Sequence, residues 1–115
     1  MIYHYDSATV IRIHDGDTIY VDLDMGLGMT RKDLGIRFAG INAPELSAAD
    51  GSGKAALAFL ETLAMVGDIV SIDSLGWDNY GNRIDARVFI NGNPVSLGKM
   101  MLDSGHARPL GPYTP

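Results

Sequence analysis

Residues 17–24, "DTIYVDLD", alternate Ile19, Val21 and Leu23 with Tyr20, Asp22 and Asp24, and residues 84–90, "IDARVFI", alternate Ile84, Ala86, Val88 and Ile90 with Asp85 and Arg87. A period of two buries one face of a strand and wets the other, so these runs commit the chain to sheets with a single apolar side. Three more segments share the β-branched composition: "ATVIRIH", "GIRFAGI" and "DIVSID". "ATVIRIH" and "DTIYVDLD" are expected to be neighbouring antiparallel strands, with the glycine-rich "MGLGM" and the charged "TRKD" linking them to "GIRFAGI" as the third. One stretch changes period. In "GKAALAFLETLAMVG", Ala56, Phe59, Leu60, Leu63 and Val66 share a helical face, with Ser52 as the expected cap and Gly67 as the stop. A second helix is expected from Asn93 and Pro94 through Leu102, ending at Gly105, followed by a tail whose prolines exclude helix.

Five strands with a helix between the third and fourth, plus a short C-terminal helix, imply a β-rich α+β fold: a five-stranded Greek-key barrel of the OB type. The 115 residues suffice for one domain, 1–115, with one modest core. Without cysteine the chain has no disulfide, thiolate ligand or thiol nucleophile. Its formal charge of −5 disfavours sequence-independent binding of phosphate backbones over a broad face, which leaves a local cationic pocket as the route to an anion. No basic segment precedes a long apolar run, so the chain as given is expected to be cytoplasmic; an export signal removed earlier would leave no trace.

The polar residues left over from the core carry the functional signal. "HDGDTI" places Asp15 and Asp17 one residue apart at the first strand junction, followed by a hydroxyl. Asp15 and Gly16 are explained by a turn, with Gly16 supplying a positive φ; Asp17 is not. Arg37 lies on the strand face opposite Ile36 and Phe38, and the loop "INAPEL" follows, with Pro44 stiffening the backbone between Asn42 and Glu45. Paired carboxylates with nearby oxygen donors suit a hard divalent cation, and arginine suits two-pronged recognition of phosphate. The bland alternative makes Arg37 and Glu45 a surface ion pair, worth about 0–1 kcal/mol.

"ATVIRIHDGDTI", "IRFAGINAPEL", the helix, "DNYGNRIDARVFING" and "GHA" together resemble the staphylococcal nuclease (thermonuclease) family, over about residues 8–108, leaving a proline-rich tail 109–115. The resemblance is to short phage- and bacterial-type members. The resemblance implies a Ca²⁺-dependent endonuclease or phosphodiesterase acting on single-stranded DNA, RNA or nucleotides, as a monomer unless part of a larger assembly. It makes Asp17 a metal ligand, with Asn42 and the backbone of Ala43 at the other ligand positions and Asp15 supporting Asp17 from behind. Glu45 becomes the base that activates water, Arg37 and Arg83 the catalytic phosphate grip, and Tyr80 a nucleotide contact. Two departures stand out: the family's D-T-P-E motif reads Asn42-Ala43-Pro44-Glu45, and Asn82 separates Gly81 from Arg83, so that Arg83 fills the second arginine position only with a one-residue insertion. The family's last helix and basic surface are missing. The alternative is a nuclease-fold binding or structural module, phage-encoded or virion-associated, with weak or no catalysis.

Overall fold

The computed structural model describes residues 2–79 and 81–115. Strands β1 (Tyr3–Asp15), β2 (Thr18–Gly26), β3 (Met29–Phe38), β5 (Ile69–Trp77) and β6 (Arg83–Ile90) close into a barrel in the order β1-β2-β3-β6-β5. The seam between β3 and β6 is parallel, and every other pairing is antiparallel. Two-residue strands β4 (Ile41–Asn42) and β7 (Arg108–Pro109) pair beside it. Helix α1 (Ser52–Leu63) lies between β4 and β5 in the chain, and α2 (Leu97–Asp103) follows β6.

The alternation read from the sequence is the alternation of burial. Ile19, Val21 and Leu23 of β2 and Ile84, Ala86 and Val88 of β6 point into the barrel, where they meet Val10, Ile36, Phe38 and Ile72. The third strand starts earlier than expected, because "MGLGM" is a tight hairpin turn rather than a linker. Gly26 pairs with Met29, and the two residues between them, Leu27 and Gly28, have φ of 56° and 74°. Positive φ at both central positions gives the turn that matches strand twist, and it draws "TRKD" into β3.

The helix α1 buries Gly53, Ala56 and Leu60, with Phe59 and Leu63 half-buried at the margin of the core. Three expectations about it fail. Ser52 is its first residue rather than a side-chain cap, and its N–H donates to Asp50 Oδ1 at 2.9 Å. The helix stops at Leu63, four residues before Gly67, because Ala64 turns extended and the Asp68 carboxylate accepts from the Met65 N–H at 2.9 Å. Val66 therefore leaves the apolar face and is exposed. Helix α2 likewise starts later than Pro94: Asn93 forms a turn by accepting from the Val95 N–H, and Ser96 caps the helix by accepting from the Lys99 N–H at 3.0 Å. Gly105, with φ of 83°, ends it as expected. His106 then stacks on Phe59 at 4.7 Å between ring centroids, joining the two helices. No helix among the described residues is long and apolar enough to cross a membrane.

Candidate active site

The β1–β2 turn carries Asp15, Gly16 and Asp17, and α1 fixes its position. Gly16 has no positive φ, contrary to expectation. It is glycine because a Cβ there would lie 2.8 Å from the Ala56 Cβ on α1 and 2.9 Å from the Ala43 Cβ. The turn is thus wedged between the helix and the start of the "NAPEL" loop. Asp15 Oδ1 accepts from the Asp17 N–H at 3.1 Å, which fixes the backbone of the turn at Asp17. Burial pushes the Asp15 carboxyl above its usual range, and the Asp17 charge pushes the same way.

Asp17 is only 4% exposed, and its carboxylate is the hub of the site. Oδ2 accepts from the Ala43 N–H at 3.0 Å and from Arg37 Nη1 at 3.3 Å, while Oδ1 accepts from Thr18 Oγ1 at 2.9 Å. The other guanidinium nitrogen of Arg37 donates to Asn42 Oδ1 at 3.0 Å and to the Ile41 carbonyl at 3.3 Å. Arg83, the first residue of β6, reaches Thr18 Oγ1 with Nη1 at 3.4 Å and Asp78 Oδ2 with Nε at 3.1 Å. Its stem lies flat on β3 because Gly35 is opposite; a Cβ on Gly35 would come within 2.7 Å of Arg83 Cγ. The result is a continuous polar line, Asn42–Arg37–Asp17–Thr18–Arg83.

Arg37 and Arg83 line a cleft of about 540 Å³ on the outside of the β3–β6 seam, together with Trp77, Asp78, Asp85 and Tyr113. The C-terminal tail forms its far wall. It is held by the Leu110 N–H on the Gly40 carbonyl at 2.9 Å and by Arg87 Nε on the Thr114 carbonyl at 2.8 Å.

Asp17, Arg37, Asn42, Ala43 and Asp15 thus come together, and Arg83 joins them through Thr18. Asn82 is exposed and does not line the cleft. Glu45 is exposed, outside the cleft lining, and makes no side-chain hydrogen bond or ion pair with the described residues; the surface pair with Arg37 does not form. Its backbone is nevertheless fixed, since Gly53 of α1 packs against the Glu45 carbonyl so closely that no Cβ fits between. Tyr80 lies outside the described residues. Two participants escaped the sequence reading. Thr18 was visible only as the hydroxyl after Asp17, and Asp85 only as an outward-facing acid on β6.

Compared with known proteins, the chain matches no family model and no curated relative.

Asp17 and Asn42 carry oxygens of the kind a hard divalent cation takes, and the Arg37 guanidinium bridges them. Each Asp17 oxygen and the Asn42 amide oxygen already accept from protein donors, with lone pairs remaining on Asp17 Oδ1 and Asn42 Oδ1. No group of three or more acidic or histidine side chains gathers among the described residues. This donor set fits a cation held through oxygen with little negative charge around it, hence weakly.

Proposed function

We propose that the chain is a phosphodiesterase of the staphylococcal nuclease type, built on an OB-type Greek-key barrel, that hydrolyses single-stranded DNA or RNA with Ca²⁺. The observation that carries this reading is the placing of Arg37 and Arg83 on one cleft by a common carboxylate–hydroxyl bridge, Asp17–Thr18. Two guanidinium groups fixed in advance suit a phosphodiester whose charge grows on the equatorial oxygens during in-line attack. Asp17, Asn42 and the Ala43 carbonyl would hold the cation, which when bound supplies Lewis-acid polarisation of a phosphoryl oxygen.

Arg37 exchanges part of its bonding to Asp17 and Asn42 for the substrate phosphate, and Arg83 exchanges its contact with Thr18. Glu45, on a loop fixed by Pro44 and Gly53, accepts the proton of the attacking water. Its exposed position in the free protein means that a substrate or a small rotation of the side chain must bring it to the water. Incubation with end-labelled single-stranded DNA and RNA oligonucleotides tests the reading. Products are expected with Ca²⁺ and none with EDTA; intact oligonucleotides under both conditions would refute it.

A second reading rests on Asn42 and Glu45. An amide replaces one anionic ligand, and the base makes no contact that aims it. On that reading the cleft grips phosphate without cleaving it, and fluorescence anisotropy of the same oligonucleotides would report binding with no products.

A further inference from the structure

We propose that Asp85 is a catalytic group, the acid that protonates the leaving oxygen of the phosphodiester; this rests on the hydrolytic reading above. Asp85 sits opposite Arg37 across the parallel β3–β6 seam, on the outward face it shares with Arg83. It is half-buried and lines the same cleft as both arginines. On its other side the register partner is Gly76 of β5, which brings no side chain over it. The cleft's second acid, Asp78, is engaged with Arg83. The Asp85 side chain, by contrast, makes no hydrogen bond or ion pair with the described residues, so its carboxyl is available to a ligand.

A carboxylate facing a phosphate site is a liability unless it carries a proton. Burial and the charge of Asp78 both push the Asp85 carboxyl above its usual range, against the opposing pull of Arg37 and Arg83. A phosphodiester seated on the two arginines neutralises that pull and adds its own negative charge beside Asp85. Binding of the substrate therefore favours the protonated acid at the point where a proton is needed.

The reaction balances without further reagents. The water oxygen bonds to phosphorus as its proton passes to Glu45. The bond from phosphorus to the leaving sugar oxygen breaks, its electron pair stays on that oxygen, and the oxygen takes the Asp85 proton. Glu45 then loses a proton to solvent and Asp85 regains one.

The test compares a single-stranded DNA oligonucleotide with the same oligonucleotide carrying sulfur in place of the leaving oxygen, a thiolate that departs without a proton. The side that leaves is read first from the ends of the wild-type products. Asp85→Asn is expected to slow cleavage of the oxygen substrate by about 10²-fold or more and that of the sulfur substrate by less than about threefold. Asp85→Ala, which removes the carboxyl by a different change, is expected to show the same split, and full activity on the sulfur substrate itself certifies folding. Equal losses on both substrates in both variants, or no loss on either, would overturn the role of Asp85 while leaving the nuclease reading intact. A wild-type protein that cleaves neither substrate would overturn both.

Discussion

Alanine at Gly16 should damage the fold more than any turn preference would suggest. A methyl there would meet the Ala56 Cβ at 2.8 Å and the Ala43 Cβ at 2.9 Å, against a comfortable carbon–carbon separation of about 3.5–4.0 Å. Neither neighbour can rotate away, since a Cβ moves only with its backbone. Both α1 and the β4 end of the loop must therefore retreat from the turn, each by roughly 0.6–1.2 Å. Overpacking of this kind costs about 1–3 kcal/mol, and compression from two sides places Gly16→Ala near the upper end. In a domain of this size that lowers the melting temperature by about 10 °C. Ala56→Gly removes one of the two contacts at a cost of about 1 kcal/mol in helix propensity. Urea denaturation followed by circular dichroism should show the double variant to be less destabilised than the sum of the single variants, with a coupling of about 1 kcal/mol. A Gly16→Ala cost below about 0.5 kcal/mol with additive behaviour would show that the helix does not seat the aspartate turn.

On the proposed function Arg83 is the second arginine of the phosphate grip, so Arg83→Ala should slow oligonucleotide cleavage by about 10²-fold and Asn82→Ala by less than about twofold. The opposite ranking would remove the one-residue insertion. Calorimetric titration should show Asn42→Asp binding Ca²⁺ more tightly than wild type and Asp17→Asn binding it undetectably; unchanged affinity in both variants would mean that no cation sits between these residues. His4 bridges Asp73 at 2.6 Å and Asp6 at 2.8 Å, and these hydrogen bonds, Asp73 first, raise its pKa. Its contribution to stability is fully present below the ordinary histidine pKa of about 6.5 and is lost as pH rises through the raised folded-state value. Urea midpoints of wild type and His4→Asn should therefore differ in mildly acidic buffer and converge in alkaline buffer; a gap independent of pH would assign the contacts no role.

The strands of the barrel were legible because one buried face forces alternation, and β6 in particular shows it from Ile84 to Val88. Boundaries were less so. Met65 and Val66 prolong the apolar pattern of α1, but the backbone leaves the helix at Ala64 because the Asp68 carboxylate offers the Met65 N–H another partner. Gly16 looked like a turn glycine, and its actual constraint comes from Ala43 and Ala56, which no local pattern reveals. At the site, Asp17 and Arg37 stood out as polar residues without a core role. Their direct pairing depends on the Thr18–Arg37 register between β2 and β3. Asp85 was ambiguous for a similar reason: the sequence shows that it faces outward, but its neighbours come from β3, the β5–β6 loop and the C-terminal tail.

Arg37→Lys, assayed for cleavage of single-stranded DNA at saturating Ca²⁺, tests the central claim most directly. Arg37 and Asp17 form a largely buried pair, with side chains 21% and 6% exposed, so alanine would strand a carboxylate and confound catalysis with folding. Lysine keeps a positive charge beside Asp17 while losing the planar fork that holds phosphate, Asp17 and Asn42 in one geometry. The account predicts a folded protein with a cleavage rate lowered by about 10²-fold. A folded Arg37→Lys protein that cleaves at the wild-type rate would contradict it.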